Sequence, residues 1–217
     1  MKWYELTDLT INWPINLQTV NYDSLDTHYG LRMMHKEVPI SISEHEFNFI
    51  RDFVQNLNPK NCLEIATGIG VSTLAIALGL KDGFLVTIDS YEEEEEQVQP
   101  QGSFKKNEKN PDGLLMAQML ARHFNVQDKI YFIHDIFKPN GFFLSSFDFI
   151  FLDCPKNDED FIKIFAILSH YIGDYTKILV HDTHTHSGKS KEFVEKLGWK
   201  WANVIPEQRY PLVLIEK

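Results

Sequence analysis

Residues 63–73 of the chain read LEIATGIGVST, a short apolar segment that leads into a glycine-containing turn and then into a helical pattern. Asp89 follows nineteen positions after Gly70, at the end of a second apolar run over residues 84–88. A strand, a tight glycine loop, a helix N-terminus and an acid about 20 residues further on are typical of a nucleotide-binding α/β fold. Gly68 and Gly70 let the backbone approach a ligand because no Cβ stands in the way. An acid at the end of the second strand can accept hydrogen bonds from both ribose hydroxyls. The sequence therefore predicts an adenosine-bearing cofactor with free ribose hydroxyls.

The residues around the glycines distinguish among nucleotide cofactors. A dinucleotide fingerprint has three glycines, which bring a helix N-terminus against a pyrophosphate. In this chain Ala66 stands at the first glycine position and Thr73 lies three residues after Gly70. Glu64 lies in the strand just before the loop, where a carboxylate repels a pyrophosphate and suits a cationic ligand. The pattern disfavours a nicotinamide dehydrogenase, while a glycine turn of some other α/β protein is the alternative for this motif alone.

The glycine segment resembles motif I of the class I S-adenosylmethionine-dependent methyltransferases, whose cofactor carries a sulfonium and an ammonium group. It is most similar to the form LEIGTGTGYST of the small-molecule O-methyltransferases. In that group an acid at the position of Asp135 faces the adenine amino group. The resemblance covers the chain from about residue 43 to the C-terminus. It implies that S-adenosylmethionine is bound by Glu64, Ala66, Thr67, Gly68, Gly70, Ser72, Asp89, Ser90, Asp135, Ile136 and Asp153.

Alternation of apolar segments with helical patterns predicts the fold class. The expected strands are 62–65, 84–88, 130–134, 147–152 and 177–181, and the expected helices are 42–57, 72–80, 112–123, 158–172 and 189–196. Nearly continuous apolar strands between helices favour a parallel sheet with both faces covered. Residues 199–205 and 211–215 are separated by too few residues for a crossover helix, so they should pair as an antiparallel hairpin. We expect a Rossmann-like, seven-stranded, mostly parallel sheet with helices on both faces and this C-terminal hairpin, as the resemblance implies.

The chain divides into one domain and two segments without a clear pattern. Its 217 residues, 43% of them hydrophobic, suffice for a single methyltransferase domain over residues 41–217. Residues 1–40 mix aromatic and polar side chains, and an acidic insertion at 91–111 contains the unbroken run Glu92–Glu96. The insertion reads as a solvated loop or as a lid that leaves the strand end carrying Asp89. The N-terminal segment is predicted to act as a lid over the acceptor, and the alternatives are packing on the sheet or a homodimer contact.

Two further acids end predicted strands and indicate how the acceptor could be activated. Asp153 and Asp182 should meet at one crevice, where several carboxylates need cations to balance them. Capping of the following helices is the alternative for both. This part resembles the cation-dependent, catechol-type O-methyltransferases. The resemblance implies that Asp153, Asp182 and Thr183 hold Mg²⁺, with Thr183 standing where the family has asparagine. It also implies that Asp153 and Lys156 are catalytic, with Lys156 as the general base for the acceptor hydroxyl.

Three histidines crowd the same strand end, at His181, His184 and His186. Histidines at alternate positions beside an aspartate can bind zinc or another soft metal. A related group of O-methyltransferases that act on sugars and natural products shows a similar His-Asp-Thr sequence here. The alternative is that His181 packs within the strand and the other two are polar loop residues.

Charge and composition exclude several partners. The net charge of −10 and the pI of about 5.3 argue against a nucleic acid substrate, which calls for a basic face. No apolar run reaches the roughly 18 residues of a membrane span, and the N-terminus does not resemble a secretory signal. Cys62 and Cys154 lie within or at the end of strands, so they are expected to be reduced thiols of a cytoplasmic protein.

These observations predict an S-adenosylmethionine-dependent O-methyltransferase that modifies a small hydroxylated molecule with the help of a divalent cation. Two alternatives stay open. One is a metal-independent methyltransferase of sugars or natural products, and the other is a non-catalytic protein that binds S-adenosylmethionine.

Overall fold

The strands form where the sequence has short apolar runs, which suit a sheet buried on both faces. In the computed structural model they are β1 (Met34–His35), β2 (Val38–Pro39), β3 (Asn61–Ile65), β4 (Phe84–Asp89), β5 (Ile130–His134), β6 (Phe147–Leu152), β7 (Ile172–Val180), β8 (Lys200–Ile205) and β9 (Leu212–Glu216). The helices are α1 (Glu44–Leu57), α2 (Val71–Gly79), α3 (Gly113–His123), α4 (Asp158–Leu168) and α5 (Lys189–Lys196).

The structure describes residues 34–35, 38–39, 42, 44–68, 70–89, 113–135, 137, 146–153, 157–181, 183, 188–205 and 211–217. Strands β1 and β2, which pair antiparallel, are the described part of the predicted N-terminal lid. The acidic insertion at 91–111 lies outside the described residues. The lid prediction for both segments therefore stays a prediction.

Seven of these strands form one sheet in the order β5-β4-β3-β6-β7-β9-β8. Strands β3 to β7 pair in parallel, whereas β9 runs antiparallel to both β7 and β8. The seven-stranded, mostly parallel sheet and its C-terminal hairpin are confirmed. The reversal of strand order between β3 and β6 creates the kind of crevice in which open α/β sheets bind ligands.

The core lies on both faces of the sheet, and β6 shows why. Phe149 and Phe151 pack in the cluster that contains α1, α2 and α3, whereas Ile150 and Leu152 face the cluster that contains α4 and α5. Successive side chains of a strand point to opposite faces, so a strand buried on both sides must be apolar throughout. This accounts for the nearly continuous apolar character of the strand in the sequence.

The predicted helix over 158–172 is too long. Helix α4 ends at Leu168, a turn follows in which Tyr171 N donates to Leu168 O (2.7 Å), and Ile172 already begins β7. The first half of β7 contains polar residues and is mostly exposed, so it has no apolar strand pattern. Thr176 nevertheless fixes this half to β6, since its hydroxyl donates to Phe147 O (2.6 Å). A tertiary contact between strands therefore determines this boundary.

Candidate active site

The carboxyl ends of the parallel strands lie side by side, joined by a backbone hydrogen bond between each neighbouring pair. Asp135 N donates to Asp89 O (3.1 Å), Ala66 N to Ile88 O (2.8 Å), Asp153 N to Ile65 O (3.1 Å) and His181 N to Leu152 O (2.9 Å). These bonds bring three of the predicted acids, Asp89, Asp135 and Asp153, to the same edge of the sheet. The crevice shared by Asp153 and Asp182 stays a prediction, because Asp182 lies outside the described residues.

The glycine loop between β3 and α2 is built from residues with left-handed backbone. Ala66 has φ +76°, Gly68 has φ +52° and Gly70 has φ +87°. A Cβ on Gly70 would lie 2.5 Å from the Cβ of Ala117 on α3, so only glycine fits there. Gly70 N donates to Thr67 O (2.9 Å), and Leu74 N donates to Gly70 O (2.9 Å) as α2 begins. The loop is thus held tightly between β3, α2 and α3.

Asp89 is bonded directly to this loop. Gly68 N donates to Asp89 Oδ2 over 2.8 Å, so the carboxylate of β4 and the backbone of the loop form one unit. A carboxylate offers about four acceptor positions and can therefore accept several hydrogen bonds at once. Asp89 therefore lies where the sequence places a ribose-binding acid.

Glu64 is fully buried beneath the loop and accepts three hydrogen bonds from hydroxyl groups. Ser72 donates to Oε1 (2.6 Å), and Thr73 (2.5 Å) and Thr87 (2.6 Å) donate to Oε2. Thr67 Oγ1 lies 2.6 Å from Thr87 Oγ1 and must donate to it, because the Thr87 proton is directed to Glu64. Glu64 thereby connects β3 with α2, β4 and the glycine loop.

The electrostatic environment of Glu64 is dominated by its burial. Loss of hydration raises the pKa of Glu64 to about 7, although the three hydroxyl donors favour the charged form and act against this change. The charge of nearby Asp153 raises the pKa further. With its side chain directed at these hydroxyls, Glu64 shapes the loop from below.

Asp153 is paired with a buried histidine. His181 Nδ1 lies 2.7 Å from Asp153 Oδ1, and His181 Nε2 lies 3.1 Å from Glu46 Oε1 in the first turn of α1. The angles at the second contact do not satisfy a hydrogen bond, so we regard it as an ion pair. The side chains of His181 and Glu46 are 3% and 2% exposed, whereas that of Asp153 is 20% exposed.

The charges around His181 favour the protonated form of its imidazole. Burial by itself lowers the pKa of His181, but the charge and hydrogen bond of Asp153 and the charge of Glu46 raise it well above the usual value. The imidazole thus lies between two acidic side chains. The alternative that His181 packs within the strand agrees with its burial, but His181 follows the last residue of β7 and makes specific polar contacts.

Several predicted site residues lie outside the described residues, so their side chains are not placed here. They are Ser90, Ile136, Lys156, Asp182, His184 and His186. Thr183 is described and is buried, and its hydroxyl donates to Pro211 O over 3.2 Å. Within the described parts of the chain, no group of three or more His, Cys, Asp or Glu side chains is arranged to hold a metal ion.

Glu46 is the residue that sequence reasoning missed at this site. The spacing of Ser43 and Glu46 in the sequence is that of a capping box and predicts only a contact at the helix N-terminus, and Ser43 lies outside the described ranges. A signal was nevertheless present. Glu46 lies one turn before Ile50 and two turns before Val54, both fully buried on the inner face of α1. A glutamate in line with an apolar stripe predicts a buried polar contact.

Comparisons with known proteins agree with this geometry. The model of a family described as O-methyltransferase matches residues 29–196 of the 217-residue chain. A putative caffeoyl-CoA O-methyltransferase from Staphylococcus aureus is similar in structure, with TM-score 0.61, 18% identity and 99% of each chain covered. The O-methyltransferase from Bacillus cereus in complex with SAH has TM-score 0.61 and 16% identity, over 98% of this chain and 94% of the other. No match was found among curated proteins.

The chain belongs to the O-methyltransferase family. The predicted family, fold and enzyme class are confirmed. A third structure, the O-methyltransferase TomG from Streptomyces achromogenes in complex with SAM, has TM-score 0.61 and 14% identity, over 98% of this chain and 93% of that one. None of the helices in the described ranges is long and apolar enough to cross a membrane. The cytoplasmic location, the absence of nucleic acid partners and a homodimer stay predictions.

Proposed function

We propose that the protein transfers a methyl group from S-adenosylmethionine to a hydroxyl group of a small molecule. The observation that carries this proposal is the bond between Gly68 N and Asp89 Oδ2, which joins the glycine loop to the acid of β4. A loop backbone and an acid fixed together in this way fit an adenosine group with free ribose hydroxyls. The close approach of Gly70 to Ala117 supports the same assignment, since it keeps the loop in one conformation.

The residues assigned to the cofactor divide into two groups. Asp89 is proposed to accept the ribose hydroxyls, with Asp135 on the adenine side and Asp153 toward the methyl group. Glu64 and Ser72 are proposed to act through the hydrogen bonds that shape the loop of Ala66, Thr67, Gly68 and Gly70. Ser90 and Ile136 complete the proposed set outside the described residues.

The chemistry asked of the protein is mainly alignment and deprotonation. S-adenosylmethionine supplies a methyl carbon already activated by the sulfonium. The protein must hold the acceptor oxygen in line with that carbon and exclude water. A neutral hydroxyl is a poor nucleophile, so a base must take its proton. Asp153 is proposed to position the hydroxyl, and Lys156 is proposed to be the base.

The donors that the family resemblance assigns to Mg²⁺ are Asp153, Asp182 and Thr183. Asp153 Oδ1 pairs with a ring nitrogen of His181, and the Thr183 hydroxyl donates its proton to Pro211 O, but the oxygens of both side chains keep lone pairs that could face a cation. Mg²⁺ prefers octahedral oxygen ligands, with one or two carboxylates and several waters. A hydroxyl is a weaker ligand than the amide carbonyl that the family has at the position of Thr183, and this substitution favours the second candidate, methyl transfer that does not require a divalent cation. Mg²⁺ binding stays the prediction of the family resemblance.

An acceptor screen tests both parts of the proposal. Purified protein is incubated with S-adenosylmethionine and a panel of catechols, other phenols, sugars and small alcohols, and S-adenosylhomocysteine formation is measured. Parallel reactions contain EDTA or Mg²⁺, and Asp89→Ala protein is the matched negative control. We expect turnover with at least one hydroxylated acceptor and equal rates with EDTA and Mg²⁺. Turnover only with amine or thiol acceptors would contradict O-methylation, and loss of turnover in EDTA would contradict the metal-independent form.

A further inference from the structure

The contacts of His181 and Glu46 assign them no direct part in binding a ligand. Both side chains are almost completely enclosed, and of the three residues only Asp153 has a side chain that reaches the crevice. They come from distant parts of the chain, since Glu46 lies in the first turn of α1 and His181 directly follows β7. Asp153 is thus supported from behind by two buried residues on two different elements.

Stability alone does not explain this arrangement. Removing charged groups from water carries a penalty of several kcal/mol per ion, and well-packed apolar side chains of similar size are often equally or more stabilising. The surroundings of α1 are apolar, with Phe47 and Ile50 fully buried nearby. An apolar pair would therefore serve packing at this place, whereas only polar groups can fix the orientation of a carboxylate.

We propose that His181 and Glu46 are positioning residues for methyl transfer, and that they fix the Asp153 carboxyl group in the orientation that receives the acceptor. His181 Nδ1 holds Oδ1 of Asp153 at 2.7 Å, and Glu46 holds the imidazole ring from its opposite side at 3.1 Å. Asp153 then needs no reorganisation when the acceptor hydroxyl arrives, which lowers the barrier to transfer. This inference rests on the proposed function, because it assigns Asp153 to the acceptor.

Backbone hydrogen bonds also fix Asp153 and His181 independently of their side chains. Asp153 N donates to Ile65 O and His181 N donates to Leu152 O, so both residues are fixed to neighbouring strands before their side chains meet. The contact of the His181 ring with Asp153 Oδ1 then restricts the side-chain torsions of Asp153. Loss of the ring should therefore change the orientation of one carboxyl group while leaving the sheet in place.

Three variants test the proposal, with His170→Ala as the matched control because His170 is exposed in the turn that follows α4. His181→Ala removes both contacts. His181→Asn places an amide nitrogen near the position of Nδ1 and keeps the bond to Asp153. Glu46→Leu keeps the volume of the buried side chain but removes its charge, and it remains informative if His181→Ala fails to fold.

The kinetic readout separates positioning from a general structural role. We expect kcat of His181→Ala and Glu46→Leu to fall about 10- to 100-fold, the usual effect of losing a hydrogen-bond partner behind a site residue. The KM for S-adenosylmethionine should change much less than kcat, because Asp89 and the glycine loop, which are proposed to hold the ribose, lie on other strands than Asp153. His181→Asn should recover most of kcat. A proportional loss of kcat and cofactor affinity, or no recovery in His181→Asn, would overturn the proposal.

The structural readout does not depend on turnover. Crystal structures with S-adenosylhomocysteine should show the Asp153 carboxyl group rotated in His181→Ala and retained in His181→Asn and His170→Ala. An unchanged Asp153 in His181→Ala would overturn the proposal. If the wild-type protein methylates no hydroxyl acceptor, the proposed function fails, while these structures still decide whether His181 orients Asp153.

Discussion

At the scale of single residues, Ala66 shows how the sequence departs from its resemblance. The motif LEIGTGTGYST has glycine at this position, and Ala66 adopts φ +76°, which is unfavourable for an L-residue by about 1–2 kcal/mol. We expect Ala66→Gly to raise the free energy of unfolding by about 0.5 kcal/mol, because relief of strain outweighs the greater freedom of glycine in the unfolded chain. Urea denaturation measures this change.

Ala75→Gly is the control for that substitution. Ala75 is fully buried within α2, where glycine lowers helix stability by about 1 kcal/mol. The two variants should therefore change stability in opposite directions. A similar loss of stability in both would show that Ala66 is not strained.

The buried carboxyl group of Glu64 predicts a pH dependence of stability. Its folded-state pKa of about 7 lies above the ordinary value of 4.5, so the unfolded chain releases the proton first as the pH rises. Stability from this group is therefore complete below pH 4.5 and is lost progressively up to pH 7, by about 3 kcal/mol at 1.36 kcal/mol per pH unit.

Glu64→Gln removes this titration and leaves the other ionisable groups unchanged. Between pH 4.5 and 7, the free energy of unfolding of the wild type should fall by about 3 kcal/mol relative to that of the variant, as measured by urea denaturation at each pH. Parallel pH profiles for the two proteins would contradict a raised pKa.

Asp89 provides the most direct residue-level test of cofactor binding. Asp89→Ala removes an acceptor for ribose hydroxyls and the bond from Gly68 N, so affinity for S-adenosylhomocysteine should weaken by about 1–3 kcal/mol. Isothermal titration calorimetry measures the change, and Asp174→Ala, at an exposed position in β7, is the control. Equal affinity of the Asp89 variant and the wild type would refute the assignment.

Whether a site residue could be predicted from the sequence depends on whether its contacts follow from a local pattern. Asp89, Asp135 and Asp153 could be placed from the sequence because each one ends an apolar strand, and parallel strands end at one edge. The pairing of His181 with Glu46 could not, since it joins elements more than a hundred residues apart in the sequence. No local pattern encodes the register that brings them together.

At the scale of secondary-structure elements, the packing of α3 on the glycine loop makes a testable contrast. Alanine at Gly70 would combine left-handed strain with a clash, because its Cβ would lie only 2.5 Å from the Cβ of Ala117 on α3. Alanine at Gly68 would have the strain alone, because nothing lies within 4 Å of its Cβ.

We therefore expect Gly68→Ala to lower the free energy of unfolding by about 1 kcal/mol. Gly70→Ala should lower it by a further 1–3 kcal/mol or so, the usual effect of overpacking. Thermal or urea denaturation of both variants gives the comparison. An equal decrease in the free energy of unfolding for Gly68→Ala and Gly70→Ala would contradict the close packing of α3 against the glycine loop.

Element boundaries were predictable only where packing and local pattern agree. Strands β5 and β6 have the predicted bounds because they are bounded by clear polar residues. The predicted boundary between α4 and β7 was wrong. In the sequence, residues 169–172 continue the helical spacing as far as the apolar Ile172, but in the structure Ile172 pairs with Phe147 and belongs to the sheet. Pairing between distant strands overrides local propensity at such positions.

At the scale of the whole molecule, the order of apolar segments was enough to predict the sheet and its terminal hairpin. The hairpin follows from connection length, since residues 206–210 cannot form a crossover. The acceptor pocket does not follow from such rules, because its proposed walls, residues 1–40 and 91–111, carry no periodic pattern. The identity of the acceptor is therefore the property that is hardest to predict from this sequence.

A crystal structure of the wild-type protein with S-adenosylhomocysteine tests the central claim most directly. The account predicts the ligand across the carboxyl ends of β3 and β4, with its ribose hydroxyls on Asp89, its adenine beside Asp135 and its sulfur directed toward Asp153. Asp153 should remain in contact with His181. Binding of the ligand at another edge of the sheet, or a ribose that does not contact Asp89, would contradict the account.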